Sequence, residues 1–443
     1  MAGAGSEMPA PGFLSDMKSS MRRSGVRIAV LVVVLTLAVA GAWMIYRTAT
    51  SEHAPADATA QFLARYWRQP LAPQGNPPPG FSALEASLAP EACGTCHVAQ
   101  YADWRTSLHS HAIGPGMLWQ MRVMNQDESN SCLRCHAPLA EQKALMALQH
   151  NWKNAPQEPV PSYVSDDLHM RGLVCAACHV RRHQRFGPPP KTPSAVRMAD
   201  LPHGGFTAEP AFRDSRFCAG CHQFPPQGRS LAGKLVENTY EEWRRSPAAA
   251  KGLSCQKCHM PDGRHLWRGI HDREMVTKGI RRELDVKRID GSRIAIQATI
   301  ATPGVGHYFP TYVVPKVTVT LQLINSAGSK EIARRVIGRS VSVDMDREFF
   351  DTRIPPGGKS VLAAELTIPA GVNHIEMRME VAPANHYARM YQAMLDRNPG
   401  MDKTTRSILR EALREALATS YRLDDLEVAV PNKLGLSQQL VAN

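Results

Sequence analysis

Aromatic residues make up only 6% of the 443-residue chain, against 43% hydrophobic residues overall. Large rings supply much of the buried area of a dense core, so this scarcity, beside 33 prolines and 31 glycines, points to a loop-rich chain. The Pro-rich stretches 77–79 and 188–190 exclude helix there and read as extended arms. Also missing are a Gly-rich phosphate loop, a Ser-His-Asp arrangement and any separate metal motif. Nucleotide-driven chemistry and triad hydrolysis therefore have no sequence basis. Finally, no cysteine is left over once the ten are paired by spacing.

What is present is a single signature repeated five times. The pairs Cys93/Cys96, Cys132/Cys135, Cys175/Cys178, Cys218/Cys221 and Cys255/Cys258 are each Cys-x-x-Cys, and each is followed directly by histidine: His97, His136, His179, His222 and His259. Disulfides and zinc knuckles give no reason for a histidine after every pair. Haem c attachment does. Two thiols three residues apart form thioethers to the porphyrin vinyl groups, and the next residue binds iron from one face. Five covalent haem c groups are expected, with a short helical stretch around each attachment site. With roughly forty residues per site, no haem can have its own core, so the haems must pack on one another.

The formal charge of +12 suggests a nucleic-acid or acidic-partner surface at first sight. Haem propionates, about ten charges for five groups, offset it, and no nucleic-acid partner is expected. Arginines near the attachment sites, among them Arg171, Arg181, Arg185 and Arg268, suit propionates through their forked geometry.

Residues 28–46, IAVLVVVLTLAVAGAWMIY, carry no charge and are long enough to span a bilayer. Lys18, Arg22, Arg23 and Arg27 precede them, which places the short tail in the cytoplasm. The tail and the apolar run are both long for a cleaved signal peptide, the competing reading. The expected organisation is a cytoplasmic tail (1–27), a transmembrane helix (28–46), a Pro-rich linker acting as a standoff (47–92) and a pentahaem cytochrome c region (93–275). A β-sandwich (284–382) and a C-terminal helical segment (383–443) follow. The haem region should be mostly α and loops around stacked haems, on the periplasmic side of a bacterial inner membrane. "IDGSRIAIQATI" (289–300) contains an Asp290-Gly291 hairpin signal, and the segments 316–324, 340–346, 359–369 and 375–381 alternate with period two. Together they predict an all-β, immunoglobulin-like sandwich. In 407–421, Leu409, Ala412, Leu413, Ala416 and Leu417 predict one apolar helix face.

Of the 17 histidines, twelve are not in attachment motifs: His53, His109, His111, His150, His169, His183, His203, His265, His271, His307, His374 and His386. Five low-spin haems need five distal ligands, and neutral imidazole is a strong iron ligand. Met260 follows His259 directly and cannot pass round the ring.

"CGTCHVAQYADWRTSLHSHA" (93–112) resembles the attachment-plus-Tyr-x-x-Trp-x-x-Ser-x-His pattern of the multihaem cytochromes around cytochrome c-554 and hydroxylamine oxidoreductase. That resemblance implies His109 as a distal ligand, with His111 as its competitor. "VENTYEEWRRSPAAAKGLSCQKCHMP" with "HLWRGIHD" is similar to a segment of the same superfamily and implies His271. "GVGHYFPT" (304–311) resembles the segment that opens an appended sandwich and implies His307, although Tyr308 and Tyr312 depart from the pattern. Position alone offers His203, in "LPHGGF", and then His183 or His169 for the remaining places. His265 reads as a residue behind a ligand or beside a propionate. Its six-residue step from His259 would have to curl round the haem edge to reach the far face of its own iron.

Two functions follow. Five six-coordinate haems make a wire. Its partners would be quinol-linked or other redox proteins of the inner membrane on one side, and soluble periplasmic cytochromes or reductases on the other. The alternative is a redox enzyme acting on a small nitrogen or sulfur compound at one five-coordinate haem. No attachment site has lysine in place of histidine, a departure from the nitrite reductases of that superfamily.

Overall fold

Alternation organises the second half of the chain. In the computed structural model, which describes residues 31, 33–44, 57–191 and 197–442, antiparallel strands begin at Arg281. The first sheet contains β1 (Arg281–Arg288), β2 (Arg293–Ala301), β6 (Lys359–Thr367) and β10 (Ser437–Ala442) in the order β6-β2-β1-β10. The second runs β5-β4-β3-β7-β8, made of β5 (Glu348–Asp351), β4 (Gly328–Val341), β3 (Lys316–Asn325), β7 (His374–Ala382) and β8 (Tyr421–Arg422), with β9 (Leu426–Ala429) also on β7. One face of each sheet is aliphatic. Leu284, Val286, Ile294, Ile296 and Ile300 join one buried cluster with Val317, Val319, Leu321, Ile375 and Met379. A sandwich follows from period two, which sends alternate side chains inward.

Three details depart from expectation. Residues 340–346 are not a strand of their own. Strand β4 ends at Val341, and Arg347 O accepts Ser342 N to form a turn before β5. Strands β1 and β4 are hidden in the sequence because their outward positions are charged, although β1 buries Arg282, Leu284 and Val286. The tail is not purely helical: after helices Asn385–Arg397 and Lys403–Ala418 it returns as β8, β9 and β10 to both sheets. The apolar face of the last helix buries Leu409, Ala412 and Ala416, but Leu417 points outward.

The haem region has little regular structure. Its attachment motifs sit on or beside short helices: Pro90–Gly94, Gln126–His136, Cys175–His179, Arg216–His222 and Cys255–His259. Residues 62–92 of the expected standoff are instead part of its core. Leu71 and Leu88 are buried with Leu139, Leu168 and Val174; the Tyr66 hydroxyl donates to Cys178 O at 2.7 Å, and Gln74 N donates to Glu141 Oε1 at 2.6 Å. Extended prolines leave the apolar residues between them free to pack, so Pro content did not mean detachment.

An ionic chain fastens the sandwich to the haem region. Arg353 reaches Glu242 at 2.8 Å and Asp351 at 2.9 Å; Lys234 bridges Asp351 and Glu348; Arg339 completes the chain at Glu348, 2.7 Å away. The remaining Glu242 oxygen accepts Tyr308 N and the Thr311 hydroxyl, which holds the segment carrying His307 against helix Thr239–Arg244.

Residues 1–61 form a separate unit. Within it, residues 31 and 33–44 are helical, with Leu35, Leu37 and Val39 exposed. Among the described residues no helix is long and apolar enough to cross a membrane. The basic residues 18–27 and the rest of the expected cytoplasmic tail lie outside the described residues, as do 28–30 and 45–46 of the apolar run.

Candidate haem sites

Each attachment motif presents two free thiols. At three of them the orientation of the histidine is fixed from behind. His136 Nδ1 lies 2.8 Å from Ala112 O, His179 Nδ1 2.8 Å from Phe186 O and His259 Nδ1 2.6 Å from Arg268 O. Carbonyls accept, so Nδ1 carries the proton and Nε2 is left as the donor atom for a metal, the usual outer-sphere device for a ligating imidazole. Burial lowers the pKa of all three, that of His179 to about 4. The rings are neutral at physiological pH, the form that binds iron.

The first motif departs from the expected helical attachment turn, and the departure falls on Cys96. Helices Gln126–His136, Cys175–His179, Arg216–His222 and Cys255–His259 each run through both cysteines to the histidine. Helix Pro90–Gly94 instead stops two residues short of Cys96, which lies in the following turn and is exposed, together with His97. The cause is local. His97 leaves helical geometry at φ −93° and ψ 53° to open the next helix, Val98–Arg105. Tyr101 of that helix folds back over Gly94, so closely that a Cβ there would stand 2.6 Å from the ring. Cys93 faces inward toward Cys175 while Cys96 faces solvent. Cys258 is exposed too, but on a helix that continues to His259.

Three histidines remote in sequence face attachment histidines. The ring centroids of His179 and His265 are 6.1 Å apart, those of His222 and His109 6.4 Å, and those of His259 and His307 6.2 Å with planes 9° apart. Two imidazoles sharing one metal at about 2 Å per bond have centroids about 6 Å apart. The three gaps therefore fit an iron, and with paired thiols at each site the residues fit haem c. Burial drives the His109 pKa down to about 3, which keeps this ring neutral too.

Local structure explains each placement. His109 O accepts Leu173 N at 2.8 Å, and Gly172, at φ +63°, touches this loop so closely that a Cβ would stand 2.5 Å from His109 O. Only glycine permits that approach. Trp104, buried, donates its indole N–H to Leu173 O and so ties helix Val98–Arg105 to the same loop. For His265 the clamp is Asp103, which accepts Arg264 Nε at 2.7 Å and His265 N at 3.0 Å. The hydrogen bond from Arg264 is the main reason the Asp103 carboxyl sits below its ordinary pKa range. Trp267 packs between His109 and His265, at 4.6 and 5.1 Å.

The other expected ligands are placed differently. His203 lies within electrostatic reach of His97, with Nδ1 2.9 Å from Gly205 O and its backbone N donating to Glu85. His183 is turned inward: it is 1% exposed, its Nε2 is 3.1 Å from Gly75 O, and its ring lies edge-on to Tyr163. His169, also buried, pairs with Gln149. His271 makes no hydrogen bond and faces no other histidine ring among the described residues. Placing His265 beside a propionate considers only its own haem. The turn at Pro261–Gly263 and the Asp103 clamp carry it to the third site instead. The signal available in the sequence is that turn, directly before Arg264 and His265.

Sulfur contacts show which sites adjoin. Cys93 meets Cys175, Cys135 meets Cys221, and Cys218 meets Cys255. Cys178 is close enough to influence both Cys218 and Cys221. The fourth site thus adjoins the second, third and fifth, and the first is reached through the third.

Residues 92–180 match the family model described as "Cytochrome c554 and c-prime". Among solved structures the chain is similar to a penta-heme cytochrome c552 from Thermochromatium tepidum, at 18% identity and a TM-score of 0.54, covering 78% of this chain and 100% of the other. No curated protein matches.

Proposed function

We propose, for a multihaem c-type cytochrome with five covalently bound haem c groups, that the protein is an electron carrier between membrane and periplasmic redox partners. Haem iron supplies reversible one-electron chemistry when bound. The chain's own part is to saturate the irons and set their neighbours. The facing imidazoles of His265, His109 and His307 at the third, fourth and fifth sites carry this reading. We assign them as distal ligands there, and His203 as the distal ligand of the first. The sulfur contacts make the assembly branched, with the fourth site as its node. The apolar run 28–46, preceded by basic residues, supports a single-pass anchor in a bacterial inner membrane with the haem region in the periplasm. Quinol-linked or other redox proteins of that membrane would then be the near partners, and soluble periplasmic cytochromes or reductases the far ones.

Electron paramagnetic resonance of the oxidised protein tests this. Low-spin iron at four or five sites is expected, with five haems per chain by pyridine haemochrome; high-spin iron at two or more sites would end the assignment. Membrane fractionation with and without residues 28–46 tests the anchor.

A second reading, a redox enzyme with one five-coordinate haem, rests on the second site. No histidine ring faces His136 among the described residues. Its imidazole neighbours are His222 and His109, which already face each other at the fourth site.

A further inference from the structure

One short segment touches three haem sites. Residues 264–268 follow the turn Pro261–Gly263 and are pinned at both ends. Asp103 holds Arg264 and His265, and Arg268 donates to the carbonyl and hydroxyl oxygens of Thr106, each at 3.0 Å. Between them Trp267 N donates to His259 O at 3.0 Å, while His259 Nδ1 donates to Arg268 O. The backbone of Trp267 meets these constraints at φ +45°, a left-handed conformation that is an outlier for a bulky side chain and persists where its surroundings over-determine it. Glycine would adopt it without steric cost. A position that favours glycine thus carries the largest side chain of all, and the reason lies in what the indole touches.

The indole stands between two imidazoles. Its ring centroid is 4.6 Å from that of His109, with planes 61° apart, and 5.1 Å from that of His265, with planes 89° apart. Both are edge contacts, the geometry aromatic rings prefer over a face-to-face sandwich. His265 Nδ1 also lies 3.0 Å from Gly263 O. The His109 ring has no hydrogen bond among the described residues, so packing alone sets its rotation. Both histidine pairs that Trp267 touches are twisted: His109 makes 45° with His222, and His265 makes 37° with His179. The pair of His259 and His307 has no indole against either ring, and its planes are 9° apart. Twist has an electronic consequence. Parallel axial imidazoles split the two iron d orbitals of π symmetry; rotating the rings apart brings those orbitals together and spreads the g values of low-spin ferric iron. Outer contacts that fix ring orientation therefore tune the metal.

We propose that Trp267 is a positioning residue shared by the third and fourth haems. Its indole keeps the imidazoles of His265 and His109 twisted from their attachment partners, so these two irons have one ligand field and the fifth has another. This rests on the reading of His109, His265 and His307 as distal ligands. Electron paramagnetic resonance of oxidised holoprotein tests it. His109→Ala, His265→Ala and His307→Ala should each convert one low-spin signal to high spin, which identifies the fourth, third and fifth haems. In the wild type the third and fourth signals should have a larger maximal g value than the fifth. Trp267→Ala should keep five haems by pyridine haemochrome, yet move the third and fourth signals together, the fourth more, with the fifth in place. Trp267→Phe, which keeps an aromatic edge, should restore most of the wild-type spectrum. Alanine at His109 or His265 with every signal still low-spin removes that ligand and the proposal with it. With the signals identified, equal maximal g values at all three haems overturn the shared role and leave the ligands standing. So does a Trp267→Ala spectrum that is unchanged, or that shifts at one haem alone or at the fifth as well. The wild-type comparison decides the matter even if Trp267→Ala misfolds.

Discussion

Strand β3 buries Val317, Val319, Leu321 and Leu323 against aliphatic side chains of the opposite sheet. The five-residue helix Cys175–His179 buries two alanines and offers two thiols and an imidazole. The first contains its own reason to fold, since removal of apolar surface from water is the main driving term. The second is too short to hold its shape alone. It depends on neighbours and on a cofactor that ties the thiols together. The sandwich is thus a body that carries a ligand arm, and the haem region is a set of segments that the cofactor turns into a body. The ionic chain from Arg339 to Glu242 joins them.

The largest test of this difference is to prevent thioether formation. Chain made without haem attachment should lose protease resistance across 93–275 while the sandwich keeps its β-sheet circular dichroism; equal loss in both regions would mean that the sandwich borrows its stability. Next is the joint. Arg353→Ala strands Glu242, which is nearly inaccessible to solvent, and breaking a buried pair this way costs about 3–5 kcal/mol. Denaturant titration should show that loss, with low-spin signal falling by one haem as the His307 segment loosens. Leu321→Ala, inside the sandwich, should cost about 2–5 kcal/mol and leave the haem absorption bands unchanged. Asp103→Ala removes charge-assisted bonds worth about 1.5–3 kcal/mol. Its expected mark is one haem converted to high spin, since His265 loses its clamp; an unchanged resonance spectrum would take His265 off the third site.

Acid gives the smallest effect. Burial raises the pKa of Glu348 and Asp351, but hydrogen bonds from Lys234, Arg339 and Arg353 outweigh it and hold both below their ordinary values. Their contribution is fully present above the unfolded pKa of about 4 and is lost as pH falls through the lower folded values. The sandwich joint should therefore be insensitive between neutrality and pH 5 and weaken below pH 4, measured as thermal stability against pH. Lys234→Met should flatten that dependence.

Much of this protein was legible in the chain. Period two gave the sandwich, but β1 and β4 hid behind outward arginines, lysines and glutamates. The histidines of Trp-x-x-Ser-x-His and Gly-His-Tyr-Phe-Pro-Thr pointed to His109 and His307, and the structure puts each opposite an attachment histidine. Reach measured along the chain sets His265 beside a propionate; the fold brings its ring opposite His179. Position offers His183 as a ligand; the structure buries its ring, and nothing in its sequence neighbours announces the Gln74 and Gly75 contacts that hold it. The exposure of Cys96 was equally silent, because its motif is spelled like the other four and only the fold-back of Tyr101 on Gly94 sets it apart.

By itself, the sequence determined the covalent chemistry. Two thiols and a histidine within five residues are a local relation, and five repeats leave no other reading of the cysteines. Only the tertiary structure decided which imidazole faces which, which sulfurs meet, and that His136 is left without an opposing ring among the described residues. These are relations through space between segments distant in the chain. Glycine at 172, the Asp103 clamp and the buried arginine at the joint set them, through close approach and desolvated charge that no spacing rule records.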